Sequence, residues 1–311
     1  MHWRVKAAVQ NLVARLPERH AHGVYFWMQR QFGALRSADP LPHLRRAVRL
    51  VELVREAGGD VDGATLLEVG SGRTLNIPIG LWLCGASRVV TVDANRYHRP
   101  ELTLETVTWL SRSRDRVESL LDDAGVPAAR VRERLDALAG ASTLGAVQGC
   151  TGISYVAPCD ARALPLIPGS VDIHFSTNVL EHVPADVILG ILGEAARVLK
   201  PGGLLAHRVD LSDHFSHGDP RISSINFLRF SESEWSRIAG NRFMYQNRLR
   251  ADDYERLLTR AGIQPRVQHE HVDAVALTRL RHGFPLAEPF ASRAPDVLAV
   301  TLMEFVGGVA A

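Results

Sequence analysis

The segment Thr65-Leu66-Leu67-Glu68-Val69-Gly70-Ser71-Gly72 constrains the fold of this chain more than any other. Five residues of strand character run into a glycine turn, and an apolar helical stretch, Ile77–Cys84, follows. A strand that leaves through a turn into a helix rejoins its sheet parallel to itself, so this opening selects an α/β architecture. Glycine lets the backbone bend tightly and approach a ligand without a Cβ in the way. The helix behind the turn presents unpaired amides at its N-terminus.

The alternation continues. Strand patterns recur at Arg88–Asp93, Ile153–Ala157, Val171–Ser176, Leu204–Val209, Arg266–Val275 and Val297–Phe305, with helices at Pro184–Leu199 and Ala251–Ala261. The expected fold is α/β: a doubly wound, mostly parallel seven-stranded sheet with helices on both faces. Residues 1–60 read as a helical N-terminal appendage or lid. Val5, Val9, Leu12, Val13 and Leu16 form its first stripe and Leu44, Ala47, Val48, Val51 and Val54 its last. Residues 61–311 then form one domain with a helical cap inserted at about 101–148. Insertions of this length usually carry function or cover a site. Phe26, Trp27 and Trp109 need a surface to bury, so both helical regions are expected to cover the site.

Composition sets the outer limits. The chain has 311 residues, 46% hydrophobic and 23% charged, which is globular and excludes a disordered chain. No apolar run reaches the ~18–20 residues that span a bilayer, and the N-terminus lacks the apolar core of a secretory signal. Cys84, Cys150 and Cys159 show no CxxC spacing, so neither a disulfide framework nor a zinc knuckle is indicated. A cytoplasmic setting is expected. The net charge of +2 gives no case for nucleic acid, although residues 1–60 carry ten Lys or Arg against five Asp or Glu.

Twenty-one positions after Gly72 the second strand ends at Val92-Asp93-Ala94. A carboxylate there can accept hydrogen bonds from both ribose hydroxyls of a nucleotide. There is no Gly-Lys-Ser/Thr for a phosphate loop, and Leu75 stands where a dinucleotide fingerprint needs its third glycine. Glu68-Val69-Gly70-Ser71-Gly72 resembles the first motif of the class I S-adenosylmethionine-dependent methyltransferases, of the type 11 kind. Cys159-Asp160-Ala161-Arg162-Ala163-Leu164-Pro165, the stretch from Val171 to Val183 and Leu199-Lys200-Pro201-Gly202-Gly203 resemble later motifs of that family, in order. The resemblance covers about residues 65–210. It implies a Rossmann-like methyltransferase fold and S-adenosyl-L-methionine as cofactor. Glu68, Gly70, Ser71 and Gly72 would form the turn beneath it, and Asp93 and Ala94 would hold the ribose. Asp160 and Ala161 would meet the adenine, and Asn178 the methionine end. Arg73 departs from the family pattern, where glycine or a small residue is common.

After the fifth strand comes His207-Arg208-Val209-Asp210-Leu211-Ser212-Asp213-His214-Phe215-Ser216-His217, placed where ligands sit in a doubly wound sheet. Histidine can take a proton near neutral pH, and a neighbouring carboxylate can orient it. His214 is read as the general base with Asp210 orienting it and His207 as the alternate. The same cluster could hold a divalent metal with Glu181 or His182, or be a purely structural loop; no metal ligand is assigned. Residues 226–230 and 241–250 mix aromatics, amides and arginines. They suit a polar or anionic substrate as well as they suit a capping subdomain with surface arginines.

The function expected is methyl transfer to oxygen of a small-molecule or glycan-like acceptor, as in similar bacterial enzymes of surface-polysaccharide or secondary-metabolite pathways. Two rivals stand beside it: a lipid methyltransferase in weak peripheral contact with a membrane through residues 1–16, and a non-catalytic cofactor- or partner-binding protein. Neither the acceptor nor the oligomeric state is encoded in any motif.

Overall fold

The computed structural model describes residues 1–33, 35–36 and 39–309. Its strands are β1 (Thr65–Val69), β2 (Arg88–Val92), β3 (Ile153–Val156), β4 (Val171–Thr177), β5 (Leu199–Asp210), β6 (Ile263–Val272) and β7 (Val300–Val309). They form one sheet in the order β3-β2-β1-β4-β5-β7-β6. The pairs from β3 to β5 are parallel, and β7 runs antiparallel to both neighbours. This is the mostly parallel, Rossmann-like methyltransferase arrangement expected. The chain builds outward from β1 to β3, then returns to β4 on the other side of β1. That reversal opens a crevice at the carboxyl ends of β1 and β4, the place where such sheets bind ligands.

Helices cover both faces: α1 (Trp3–Ala14), α2 (Glu18–Phe32), α3 (Leu41–Glu56), α4 (Asn76–Leu83), α5 (Pro100–Arg112), α6 (Arg114–Asp123), α7 (Ala128–Ala139), α8 (Leu144–Thr151), α9 (Ala185–Val198), α10 (Glu232–Ala239), α11 (Ala251–Arg260) and α12 (Ala274–Arg281). Side chains alternate across a strand, so Leu66 joins a core with α3, α4 and the insertion while Leu67 joins the opposite core with α9 and α11. The insertion's apolar residues, among them Val107, Leu121, Leu135 and Val147, are spent in that first core. In α4 even Gly80 is confined, for a Cβ there would stand 2.7 Å from Ala47 Cβ. Among the described residues no helix is long and apolar enough to cross a membrane.

Three strands differ from the sequence pattern by more than one residue. β5 starts at Leu199, so Pro201-Gly202-Gly203 is an irregularity within the strand, where the pairing jumps from Val171↔Leu199 to Ile173↔Leu204. β6 and β7 lie about three residues from their expected spans. The Asp273 carboxylate accepts from the Val275 and Ala276 amides and starts α12 there, and Pro295–Leu298 is a helical turn.

The segment after β5 and the chain's first helix build a third core. Trp3 packs against Phe215 and Phe230, and its amide donates to Asp219 Oδ2 at 2.9 Å. Arg248 and Arg250, two of the arginines considered for a substrate, turn inward instead. Arg250 is fully buried and donates to the carbonyls of Leu211, Leu298 and Val300, which joins the end of β5 to the start of β7. Arg250→Met leaves these carbonyls unsatisfied and should cost about 3 kcal/mol or more of unfolding free energy in urea denaturation. A change under about 0.5 kcal/mol would show that the clamp is dispensable.

Candidate active site

A cavity of about 910 Å³ opens at the carboxyl ends of β1, β2 and β4. Its floor is the glycine turn. Gly70 sits at φ +84°, and a Cβ there would stand 2.7 Å from Val179, so glycine is required both by conformation and by space. The turn is held from β2: Asp93 Oδ2 accepts from the Gly72 amide at 3.1 Å and from Ser71 Oγ at 3.3 Å. Burial pushes the Asp93 carboxyl up to about 7, against the hydrogen bonds that favour its charged form. Glu68 lies deeper, 1% exposed, and accepts from Thr91 Oγ1 at 2.6 Å. Burial raises its carboxyl to about 8, and the nearby Asp93 adds to the rise.

Gly70, Gly72, Asp93, Ala94, Asp160, Ala161 and Asn178 all line this one cavity; Ser71 and Glu68 support it from behind. Asn178 is in the left-handed region at φ +56°, its amide donating to Arg208 O at 2.8 Å, while its Oδ1 is buried without a partner. Such backbone strain clusters at functional sites. Asp160 is exposed and ion-paired with Arg162 at 2.7 Å, and this bond holds its carboxyl at about 2.

The expected base residues lie elsewhere. His207 sits inside β5, fully buried, with Nδ1 2.6 Å from Ser176 Oγ and its ring against Phe305. It does not reach the cavity, and burial disfavours its charged form. Asp210 does approach His214, Oδ2 to Nε2 at 3.6 Å, and also His217 at 3.5 Å. His214 in turn meets the ring of His182 edge-on at 4.9 Å. Of His182, His207, His214 and His217, it is His182 that lines the cavity. Its Nδ1 lies 2.7 Å from the Tyr245 carbonyl, which can only accept, so the proton is on Nδ1 and the Nε2 lone pair is free to accept one. His182 is exposed at the cavity wall, and desolvation of its ring lowers the imidazole's pKa. Glu181, His182 and His214 bring one ligand atom each within 4.8 Å of one another, and both Glu181 oxygens lack partners, so this cluster is where a metal could be held.

The N-terminal region expected to cover the site supplies part of the roof, through residues that sequence reasoning did not single out. His22, Tyr25 and Gln29 of α2 line the cavity together with Arg242, Phe243, Met244 and Tyr245, and Tyr25 stacks on Phe243 at 4.3 Å. No residue of 101–148 lines it, because that insertion is committed to the sheet's own core.

The family model described as a methyltransferase domain matches residues 134–207. The chain is similar to type 11 methyltransferases. Its fold resembles that of a geranyl diphosphate methyltransferase solved with S-adenosylmethionine, at 12% identity and TM-score 0.48, over 86% of this chain and 85% of that one. It also resembles the geranyl diphosphate C-methyltransferase of Streptomyces coelicolor A3(2), at 14% identity and TM-score 0.46, over 85% and 78%. An S-adenosylmethionine-dependent methyltransferase of Mesorhizobium loti matches at 16% identity and TM-score 0.40, over 82% and 94%. No curated protein matches the chain.

The two raised carboxyls have a consequence for stability. The folded state keeps a proton on Glu68 that the unfolded chain has lost above its ordinary range near 4.5. The contribution of Glu68 to stability should therefore be full below about pH 4.5 and be lost as pH rises toward about 8. Glu68→Gln keeps the shape without the charge and should flatten that decline in urea titrations between about pH 5 and 8. Equal slopes for both proteins would mean that Glu68 titrates as an ordinary carboxylate.

Proposed function

We propose that this protein transfers a methyl group from S-adenosylmethionine to a hydroxyl of a small-molecule or glycan-like acceptor. The observation that carries the reading is the buried Asp93 at the tip of β2, clasping the glycine turn and facing the same cavity as Asp160, Ala161 and Asn178. Asp93 would take the ribose hydroxyls, Ala161 and Asp160 the adenine, and Asn178 the amino-acid end. The cofactor supplies, when bound, a methyl group on a sulfonium whose departure as a thioether needs no proton. The chain's part is to align the acceptor and remove its proton. His182 is placed for this on the cavity wall. His214, with Asp210 behind it, acts as a positioning residue for the His182 ring rather than touching the acceptor itself. Tyr25 and Phe243 offer flat apolar faces for the acceptor's body.

Removing the Asp93 carboxylate by Asp93→Ala should weaken S-adenosylhomocysteine binding by about 2–3 kcal/mol in calorimetry. His182→Ala should leave that affinity intact and lower acceptor methylation, followed with a tritiated methyl group on metabolite and glycan pools, by roughly 10²–10⁴-fold. Chelators should leave methylation unchanged. Equal cofactor affinity in Asp93→Ala would remove the cofactor assignment, and full activity in His182→Ala would leave alignment as the only catalytic device.

A second reading is favoured by the surface of α1 and α2, where Leu12, Trp27 and Phe32 are 67%, 56% and 79% exposed in a net-basic region. On that reading the acceptor is a lipid and these residues meet its membrane. Sedimentation with anionic vesicles that weakens in salt would support it; absence of cosedimentation at low salt would end it.

A further inference from the structure

We propose that Arg73, with Arg99 held against the same Phe26 ring, forms an anion subsite of the cavity that takes a carboxylate or phosphate group. Which molecule carries that group rests on the methyl-transfer reading; the subsite itself does not. Arg73 lines the cavity directly after the glycine turn. Its guanidinium carbon lies 5.2 Å from the Phe26 ring centre and 5.9 Å from that of Tyr25, and the Arg99 guanidinium carbon lies 4.7 Å from Phe26. Stacking uses the flat face of a guanidinium and leaves its N–H fork in the plane free for a bidentate acceptor.

Neighbouring arginines have their charge answered. Arg30, one turn along α2, is ion-paired with Glu105 at 2.8 Å, and Arg162 on the cavity wall is paired with Asp160. Among the described residues Arg73 and Arg99 have no such partner, and Arg99 Nε is buried without an acceptor. Burial, then the charge of Arg99, lower the pKa of Arg73. Two like charges held against one aromatic ring, both half-buried, cost free energy that an anion shared by them would offset. A departure from the family's small residue at position 73 thus places a fork-shaped cation where the cavity begins.

Two carriers share this chemistry: the amino-acid carboxylate of the cofactor and an anionic group on the acceptor. Calorimetry on the full chain with S-adenosylhomocysteine, its decarboxylated analogue and inorganic pyrophosphate separates them. If the cofactor is the carrier, the wild type prefers the carboxylated form by roughly 10- to 100-fold and Arg73→Ala erases the preference. If the acceptor is, Arg73→Ala loses pyrophosphate binding by a similar factor and leaves S-adenosylhomocysteine affinity unchanged. Arg73→Lys, which keeps the charge without the fork, should fall between, and the thermal midpoints of all variants check that they fold. Wild-type affinities for all three ligands in Arg73→Ala would overturn the subsite. A wild type that ignores S-adenosylhomocysteine but loses pyrophosphate on Arg73→Ala would end the cofactor reading and leave the subsite standing.

Discussion

A buried carboxylate at the tip of β2 clasps the turn that leaves β1. Asp93 accepts from the Gly72 amide and the Ser71 hydroxyl, while the Gly70 amide donates to Val92 O at 2.8 Å. These bonds fix the turn against its neighbouring strand at the point where the sheet reverses direction. The left-handed Gly70 and Gly72 follow from that path, as does the close approach of Val179 to Gly70. Because Asp93 is held away from water, its charge is costly without donors, and ribose hydroxyls are donors of the right kind. On the proposed reading the group that clasps the turn would also be the one that meets the ribose.

The walls of the cavity come from parts of the chain far apart in sequence. α2 is pinned above the turn by Tyr25 on Phe243, and its partner α1 is tied into the third core through Trp3 and Asp219. The segment after β5 is anchored by Arg250 and Arg248, which turn their charges inward onto backbone carbonyls. These interior arginines hold rigid the loop that carries Phe243 and Tyr245. The surface left facing the cavity carries the rings of Tyr25, Tyr97, Phe243 and Tyr245 beside His22 and His182, with Arg73 and Arg242 supplying positive charge.

The turn, the acid of β2 and the later motifs were legible because each is local: a few residues fix the backbone and leave one side chain at a strand's end. The base was not. His207 reads as a strand-end histidine when β5 is taken to stop at Val209, yet in the β4–β5 register it faces Ser176 inside the sheet. A parallel sheet covered on both faces buries side chains of either parity, so alternation could not expose the error. From the sequence, His182 is only a partner, beside Glu181, in a possible metal cluster. Its role depends on Tyr245 and His214, more than thirty residues away, which no spacing rule connects. That the N-terminal helices would cover the site was expected, but which side chains of α2 face the cavity depends on Phe243, far away in sequence.

The central claim is that the crevice at β1, β2 and β4 is a cofactor site organised by Asp93. A crystal structure of the full chain with S-adenosylhomocysteine tests this most directly. The account predicts the ribose hydroxyls on the Asp93 carboxylate, the adenine beside Ala161 and the thioether sulfur directed toward the His182 side of the cavity. Density for the ligand elsewhere, or an Asp93 carboxylate that still contacts only Ser71 and Gly72 with the ligand bound, would contradict it.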